Sequence, residues 1–288
     1  MIEFKAIEFF SGIGGLHHAL LIVSPNAKVV QAFDVNSVAN CCYSHTFGLN
    51  PCSTSIDRLS ACLLDSLDAN VWLLSPPCQP FTAGGKRLDN DDPRSSGLLH
   101  LIRVIAQLEH VPDYLLLENV PNFEDSECRN MLVECLLQLG FNIQEYLVSP
   151  LQLGIPYDRK RYYLTAYRRI GHGSKQVSER GRLNEPIIRD LSNEFVKPKL
   201  ISDYLDQKCS IKDRNATCES EDEYLVPESF ISRQKFLNVD LVKPSEFRVS
   251  TITKAYGTYH LKSGSFLQTD CLDVILLLPF RVLIMANF

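Results

Sequence analysis

Short apolar runs alternate with amphipathic segments over residues 1–167, and this alternation is the main structural signal in the chain. Continuous apolar runs separated by helical segments are typical of parallel strands in a sheet that is covered on both faces. We therefore predict an α/β fold. The predicted strands are KAIEFFS, KVVQAFD, NVWLLS, YLLLENV, NIQEYLVSP and RYYLTAYR, and the predicted helices are GGLHHALLIV, VNSVANCCYSHTF, SSGLLHLIRVIAQLEH and SECRNMLVECLLQLG.

The pattern changes after Arg169, and this change predicts the domain organisation. The segment RIGHGSKQVSERGRLNEP is polar and is predicted to be a mobile connection. We predict a cofactor-binding and catalytic domain over 1–167 and a small recognition domain over 168–266. The hydrophobic residues 267–288 differ in character from the rest and form an atypical tail.

Composition limits the possible classes of protein. Hydrophobic residues make up 45% of the chain and charged residues 22%, as in ordinary soluble globular proteins. The sequence has neither a secretory signal pattern nor an apolar run of about 18–20 residues, so we expect neither secretion nor a membrane span. The ten cysteines are scattered without a Cys-x-x-Cys pair, which predicts reduced, mostly buried thiols, no metal, and a location in the cytoplasm and nucleus.

The segment FFSGIGGLHHAL predicts a glycine turn between the first strand and the first helix. Backbone N–H groups of such a turn can approach a ligand closely. A dinucleotide fingerprint that starts at Gly12 requires glycine or alanine where His17 stands, so a dinucleotide is disfavoured. Asp34 ends the second strand, where a carboxylate can accept hydrogen bonds from ribose hydroxyls, and Asp57 could meet an adenine amino group.

Together, the glycine turn and the two acids favour a nucleoside without a pyrophosphate, for which S-adenosylmethionine is the candidate. The alternative for Asp34 is that it only caps the helix that begins near Asn36.

Cys78 lies in the loop SPPCQPF, directly after the third predicted strand. Pro76, Pro77 and Pro80 restrict the backbone on both sides of this cysteine. Such rigidity suits a nucleophile that must reach one particular atom, and a structural cysteine does not need it.

Two further elements carry candidate catalytic groups. Glu118 ends the strand YLLLENV, and Arg159 and Arg161 stand at alternate positions, hence on one face of the chain if it is extended. A thiolate that adds to carbon 6 of cytosine makes carbon 5 nucleophilic, and a carboxylic acid at ring nitrogen 3 assists this addition. The arginines can stabilise the thiolate, bind the pyrimidine carbonyl or contact phosphate.

The motifs FFSGIGGL, SPPCQPF, ENV and QLGIPYDRKR, in this order, resemble the successive motifs of the cytosine-5 methyltransferase family. The resemblance implies a Rossmann-like sheet, S-adenosylmethionine as cofactor, Cys78 as nucleophile and Glu118 as acid. It makes Arg159 and Arg161 the substrate-binding arginines. It also implies a set of cofactor-binding residues, namely Gly12, Ile13, Gly14, Gly15, Asp34, Asp57 and Ser75.

One branch of the family fits best, since DPRSSGLLHLI, LLLENVPNFEDSECRNML and TKAYGTYHLKSGS resemble eukaryotic enzymes that methylate the anticodon loop of aspartate transfer RNA. The resemblance implies transfer RNA as partner and a monomer. DNA methylation and a truncated, non-catalytic RNA- or cofactor-binding isoform are the alternatives. The segment PYDRKR replaces the usual Pro-Asn-Ser-Arg, and Thr251-Ile252-Thr253 replaces the usual Cys-Phe-Thr. The expected Gly-Asn-Ser segment does not follow Phe266.

Overall fold

A computed structural model describes residues 3–77, 96–168, 180–191, 199–205, 239–253, 256 and 263–268, and the backbone of 275–277. The chain divides into two compact units. The first unit comprises Met1–Val148 and Arg161–Arg189, and the second comprises Ser149–Lys160 and Asp190–Phe288.

The helices are α1 (Gly15–Val23), α2 (Ser37–Phe47), α3 (Ala61–Ser66), α4 (Ser96–Ile105) and α5 (Glu127–Gln138). The strands are β1 (Lys5–Phe9), β2 (Lys28–Phe33), β3 (Val71–Leu74), β4 (Tyr114–Asn119), β5 (Asn142–Val148), β6 (Tyr157–Asp158), β7 (Arg161–Tyr167), β8 (Leu183–Ile188), β9 (Asp240–Val242), β10 (Val249–Ser250), β11 (Ser265–Gln268) and β12 (Ile275–Leu277).

Within the described residues, the first unit contains one seven-stranded sheet in the order β2-β1-β3-β4-β7-β5-β8. Strands β2, β1, β3 and β4 are parallel to one another, whereas β7 is antiparallel to both β4 and β5. The predicted α/β class with a largely parallel sheet is therefore confirmed. Because β7 runs in the opposite direction, its first residue lies at the same sheet edge as the last residues of β4.

The two faces of the sheet bury different sets of side chains. One face packs Phe9 and Trp72 in a large core with α4 and α5, to which Leu101 and Leu136 contribute. The opposite face carries a smaller apolar cluster, including Val71, against which α1 packs. The 3.6-residue periodicity of the predicted helices and the apolar runs of the strands thus account for both layers.

The second unit has its own small core, formed by Tyr157, Ile201, Val242, Val249 and Leu267. Strand β6 pairs with β10, and β11 pairs with β9 and, in antiparallel register, with β12.

Tyr157 and Asp158, which stand where Asn and Ser are usual in the motif Pro-Asn-Ser-Arg, belong to this second unit. Tyr157 is 2% exposed, and Arg248 Nε lies 3.1 Å from Asp158 Oδ2. Tyr157 therefore lies in the small core of the second unit, and Asp158 forms an ion pair within that unit.

Among the described α-helices and strands before residue 189, three were not predicted from the sequence: α3, β6 and β8. Strand β8 begins in the segment predicted to be a mobile connection, which ends at Pro186, and it pairs with β5, so that prediction is wrong for 183–186. Because β8 pairs with β5, the first unit extends to Arg189. Because β6 pairs with β10, residues 149–160 belong to the second unit. The predicted boundary at 167/168 is therefore not the boundary between the two units. The atypical tail contributes β12, and its last residues, 278–288, lie outside the described residues.

Six cysteines lie in the described part of the chain, and all six are free thiols. Only Cys128 among them is buried, while Cys41, Cys42 and Cys62 are exposed. The expectation that most thiols are buried is therefore wrong for these six. Among the described helices, none is long and apolar enough to cross a membrane.

Candidate active site at the carboxyl edge of the sheet

The sequence-predicted site residues of the first unit lie at or beyond the ends of β1, β2, β3 and β4 and at the start of β7. Ligands of open α/β sheets bind beyond the carboxyl ends of the strands, at this edge. The predicted nucleophile, Cys78, lies outside the described residues, which end at Pro77 on this side and resume at Ser96.

The glycine turn after β1 is built from residues with positive φ. Phe10, Gly12 and Gly14 have φ values of 56°, 52° and 92°, and the Gly14 N–H donates to Ser11 O at 2.8 Å. A Cβ added at Gly12 or Gly15 would meet nothing within 4 Å, whereas one at Gly14 would lie 2.2 Å from Phe47 Cε2. The turn therefore rests on α2 through Gly14 and is open at Gly12 and Gly15.

Asp34 ties this turn to the start of α2. Its Oδ2 accepts from the Gly12 N–H at 2.8 Å, and its Oδ1 accepts from the Asn36 N–H at 2.8 Å. The N-cap of α2 is Asn36, whose side chain accepts from Val38 and Ala39. Asp34 is therefore not the cap of this helix, and each of its oxygens retains a lone pair directed elsewhere.

Asp57 lies in a short 3-10 turn, Ile56–Arg58, and is exposed. The chain before it is held to the end of β2, because the Cys52 N–H donates to Ala32 O at 2.8 Å and the Asp34 N–H donates to Cys52 O at 3.2 Å. The Ser55 hydroxyl donates to Asp57 Oδ1 at 2.5 Å. Asp57 thus follows a segment anchored at the carboxyl edge.

The segment that leads to Cys78 is anchored at Ser75 and Pro76. The Ser75 N–H donates to Phe9 O at 3.2 Å, and Asn119 Nδ2 donates to Pro76 O at 3.4 Å. Asn119 is 2% exposed, so this contact is protected from water. The end of β4 therefore fixes the start of the cysteine loop, a role that the sequence did not assign to Asn119.

Glu118 and Arg161 form an ion pair at the junction of β4 and β7. Arg161 Nε lies 3.2 Å from Glu118 Oε1, and the two side chains are 17% and 27% exposed. Glu118 is paired in register with Tyr163, two residues beyond Arg161. Two predicted catalytic residues, 43 positions apart in sequence, are thereby brought together.

Arg159 does not share a strand with Arg161. Strand β6 ends at Asp158, β7 begins at Arg161, and Arg159 belongs to the second unit. Its N–H donates to Ser149 Oγ at 3.0 Å. The two arginines therefore do not belong to one extended strand, which was the condition for placing them on one face.

The profile of the C-5 cytosine-specific DNA methylase family matches residues 4–269 of the chain. The chain belongs to this family.

Individual relatives agree with the family match. The human tRNA (cytosine(38)-C(5))-methyltransferase is 34% identical over 93% of this chain and 79% of that enzyme. A Dictyostelium discoideum DNA (cytosine-5)-methyltransferase is 30% identical over 94% of this chain and 77% of its own length. The crystal structure of the S. pombe Dnmt2 methyltransferase has a TM-score of 0.78 at 26% identity, covering 99% of this chain and 86% of that one.

This methyltransferase also carries buried polar groups behind the glycine turn that the sequence analysis did not single out. The Ser11 hydroxyl is buried and has no hydrogen-bond partner among the described residues, and Glu8 is 1% exposed. Tyr43 donates to Glu8 Oε2 at 2.8 Å and lies 2.7 Å from His17 Nδ1. The signal in the sequence was a glutamate inside the apolar run KAIEFF, which requires partners when buried.

The described residues contain no group of three or more His, Cys, Asp or Glu side chains that could hold a metal ion.

Proposed function

We propose that this cytosine-5 methyltransferase methylates carbon 5 of a cytosine in transfer RNA, in the anticodon loop of aspartate transfer RNA, with S-adenosylmethionine as methyl donor. The observation that carries the proposal is the Glu118–Arg161 ion pair beside the anchored start of the cysteine loop. The relatives named as transfer-RNA cytosine-38 methyltransferases support the choice of substrate.

The residues of the turn suit a nucleoside cofactor. Gly12 and Gly15 leave open space where other residues would place a side chain, and the Ser11 hydroxyl is a buried polar atom without a partner in the part of the chain that the structure describes. The Asp34 carboxylate accepts from the Gly12 and Asn36 N–H groups. Each oxygen has a further lone pair that can accept from a ribose hydroxyl. When bound, S-adenosylmethionine supplies the methyl group as an electrophilic sulfonium.

In the proposed mechanism the Cys78 thiolate adds to carbon 6 of the cytosine, which makes carbon 5 nucleophilic. Negative charge develops on ring nitrogen 3 during this addition, and a proton shared with Glu118 stabilises it. Once carbon 5 is methylated, loss of its proton to a base restores the double bond and expels the thiolate. The Cys78 sulfur leaves as a thiolate and the proton at ring nitrogen 3 returns to Glu118, so both residues are regenerated.

Arg161 orients Glu118 in this mechanism. The ion pair keeps the carboxylate in one position, and its partial burial strengthens the interaction relative to an exposed pair. A base bound at this edge would therefore meet a carboxylate whose rotamer is already selected, which reduces the entropy lost in forming the transition state.

The covalent step can be tested with aspartate transfer RNA that carries 5-fluorocytosine in place of cytosine. Fluorine at carbon 5 cannot leave as a proton does, so the adduct should persist and migrate as a protein–RNA band on a denaturing gel. Cys78→Ala should abolish the band, and Cys62→Ala, which alters an exposed cysteine of α3, should preserve it. A band formed by Cys78→Ala would contradict the mechanism.

DNA is the second candidate substrate, favoured by the Dictyostelium relative named as a DNA methyltransferase. Tritiated methyl incorporation into unmodified aspartate transfer RNA and into duplex DNA separates the two. An unstacked loop base enters a pocket at lower cost than a base flipped from a duplex, so we expect faster transfer to the RNA. Incorporation into neither, together with retained binding of S-adenosylhomocysteine, would indicate a non-catalytic protein.

A further inference from the structure

Helix α1 begins directly after the glycine turn, and its first backbone N–H groups need acceptors. Its N-cap is Gly14, which has no side chain and supplies no cap. Uncapped N–H groups at the start of a helix commonly bind phosphate in nucleotide-binding proteins. The start of α1 would therefore be a phosphate site if nothing else occupied it.

Glu8 already occupies these groups. Its Oε1 accepts from the His17 N–H at 3.2 Å, and the Leu16 N–H also favours the ionised form of the same carboxyl, which lowers its pKa. Leu16 and His17 are the second and third residues of α1. Glu8, which lies in β1, therefore provides the acceptor oxygen that a bound phosphate would otherwise provide.

Two aromatic side chains hold the Glu8 carboxyl in this position. Tyr43, from α2, bonds Oε2 at 2.8 Å, and His17 Nδ1 lies 2.7 Å from the Tyr43 hydroxyl. The His17 ring stacks on Phe47 with centroids 4.0 Å apart. Glu8 therefore cannot swing away from α1 without breaking a buried chain of hydrogen bonds.

The surroundings of Glu8 are otherwise apolar. Its register neighbours on the adjacent strands are Ala32 and Leu73, and desolvation raises the pKa of Glu8 to about 7. Desolvation also lowers the pKa of His17 to about 4, with a further contribution from His18. Asp34 is the other charged group that acts on Glu8.

The chain of three groups is satisfied in either charge state of Glu8. An ionised Glu8 accepts from the Tyr43 hydroxyl, whose oxygen accepts from His17 Nδ1–H. A neutral Glu8 donates from Oε2 to the Tyr43 oxygen, and the Tyr43 hydroxyl donates to an unprotonated His17 Nδ1. In both states Oε1 still accepts from the start of α1, so that position stays occupied.

We propose that Glu8 determines the ligand specificity of the glycine turn: it occupies the N–H groups of α1 from within, so that the turn rejects nucleotide phosphates and accepts an uncharged or cationic nucleoside. This inference rests on the proposed use of S-adenosylmethionine, which carries a sulfonium and no phosphate. Tyr43 is a positioning residue for Glu8 in this arrangement.

The test is calorimetric titration of the whole chain with S-adenosylhomocysteine and with ADP. The wild type should bind S-adenosylhomocysteine and reject ADP. In Glu8→Ala the freed N–H groups can make charge-assisted bonds to phosphate, so ADP affinity should rise at least about tenfold. Circular dichroism and thermal melting confirm that the variant is folded.

Each outcome bears on the proposal. Unchanged ADP affinity in a folded Glu8→Ala, or loss of both ligands, would show that Glu8 only supports the turn. ADP binding by the wild type as tight as that of S-adenosylhomocysteine would also overturn the inference. If the wild type does not bind S-adenosylhomocysteine, the proposed cofactor is wrong, while the gain in ADP affinity still decides the role of Glu8.

Glu8→Gln provides a decision even if the alanine variant does not fold. The amide oxygen keeps the acceptor, so only the charge is lost. Glu8→Gln should therefore reject ADP as the wild type does, because its amide oxygen still accepts from the start of α1. The ionisation of ADP is common to both proteins and cancels. ADP binding by Glu8→Gln at least about tenfold tighter than by the wild type would contradict occupation of these N–H groups as the cause of the rejection.

Discussion

Arg161 Nε lies 3.2 Å from Glu118 Oε1, across the junction between the end of β4 and the start of β7. A carboxylate at this position would be mobile without a partner, since it lies one residue before the end of its strand. The guanidinium restrains it, and both side chains are mostly shielded from water. The pair therefore acts as one unit whose members cannot be replaced independently.

The first prediction concerns the coupling within this pair. Glu118→Gln and Arg161→Met should each lower single-turnover methyl transfer, by about 10²–10⁴-fold for Glu118→Gln. The double variant should be scarcely slower than the worse single variant, because residues that act as a unit are not additive. Multiplicative losses would show that the two residues act separately.

The exposed pair of Arg180 and Glu134 is the matched control for this cycle. Their side chains are 61% and 51% exposed, and they also belong to the first unit. Arg180→Met should leave the rate of methyl transfer within about twofold, since exposed ion pairs contribute little.

The second prediction concerns Gly14, where positive φ and close packing coincide. Gly14→Ala should destabilise the protein by about 2–5 kcal/mol, the sum of a left-handed backbone penalty and the clash with Phe47. Gly48 also has positive φ, at 68°, but has nothing near its Cβ position. Gly48→Ala should therefore cost only about 1–2 kcal/mol. Urea denaturation measures both, and equal losses would disprove the packing role of Gly14.

The third prediction is a pH dependence of stability at Glu8. Burial raises its pKa from 4.5 to about 7, so the folded state holds this proton more tightly than the unfolded chain. The stabilisation is complete below pH 4.5 and is lost as the pH rises through about 7. Relative to Glu8→Gln, the wild type should lose on the order of 3 kcal/mol over this interval.

Chemical denaturation of both proteins from pH 5 to pH 8 measures this difference. His17 opposes the trend, since its lowered pKa favours the folded state at high pH, but its contribution is common to both proteins. Parallel stability curves would mean that Glu8 titrates alike in the folded and unfolded states.

The fourth prediction concerns the buried ion pair of Arg129 and Glu145 beneath the sheet. Glu145 is 1% exposed, and it accepts from Arg129 Nε at 2.7 Å and from the Tyr162 hydroxyl at 2.5 Å. Arg129→Met should cost about 3–5 kcal/mol, because it leaves a buried carboxylate without its cation. Thermal or urea unfolding measures the loss.

Lys5 and Asp68 provide the comparison for this variant. They form an ion pair at 2.8 Å with side chains 38% and 58% exposed. Lys5→Met should therefore cost less than about 1 kcal/mol. A cost comparable to that of Arg129→Met would show that burial does not set the difference.

Hydrophobic periodicity sufficed to predict the α/β class and most strands and helices of the first unit. It failed at α3, which has only six residues, and at β8, whose polar sequence LNEPII lacks an apolar run. Both depend on neighbours distant in sequence: β8 forms because β5 offers it an edge. Local patterns carry no information about such an edge.

The candidate site likewise contains residues that the sequence identified and residues whose roles only the structure showed. Glu118 could be identified because it ends a recognisable strand within a family motif. The roles of Glu8 and Asn119 could not, because each acts on a backbone group of a different segment. The separation of Arg159 from Arg161 was equally hidden, since the chain passes from one unit to the other between them.

Because β7 is antiparallel to β4, the site should tolerate insertions and deletions in the connections between these two strands, but not within β7 itself. Helix α5 and strand β5 form an excursion that leaves from the end of β4 and returns before β7. Its connections can lengthen or shorten during evolution without moving Arg161 relative to Glu118. Deleting one residue inside β7 has the opposite effect, because it would turn every side chain before the deletion to the other side of the sheet.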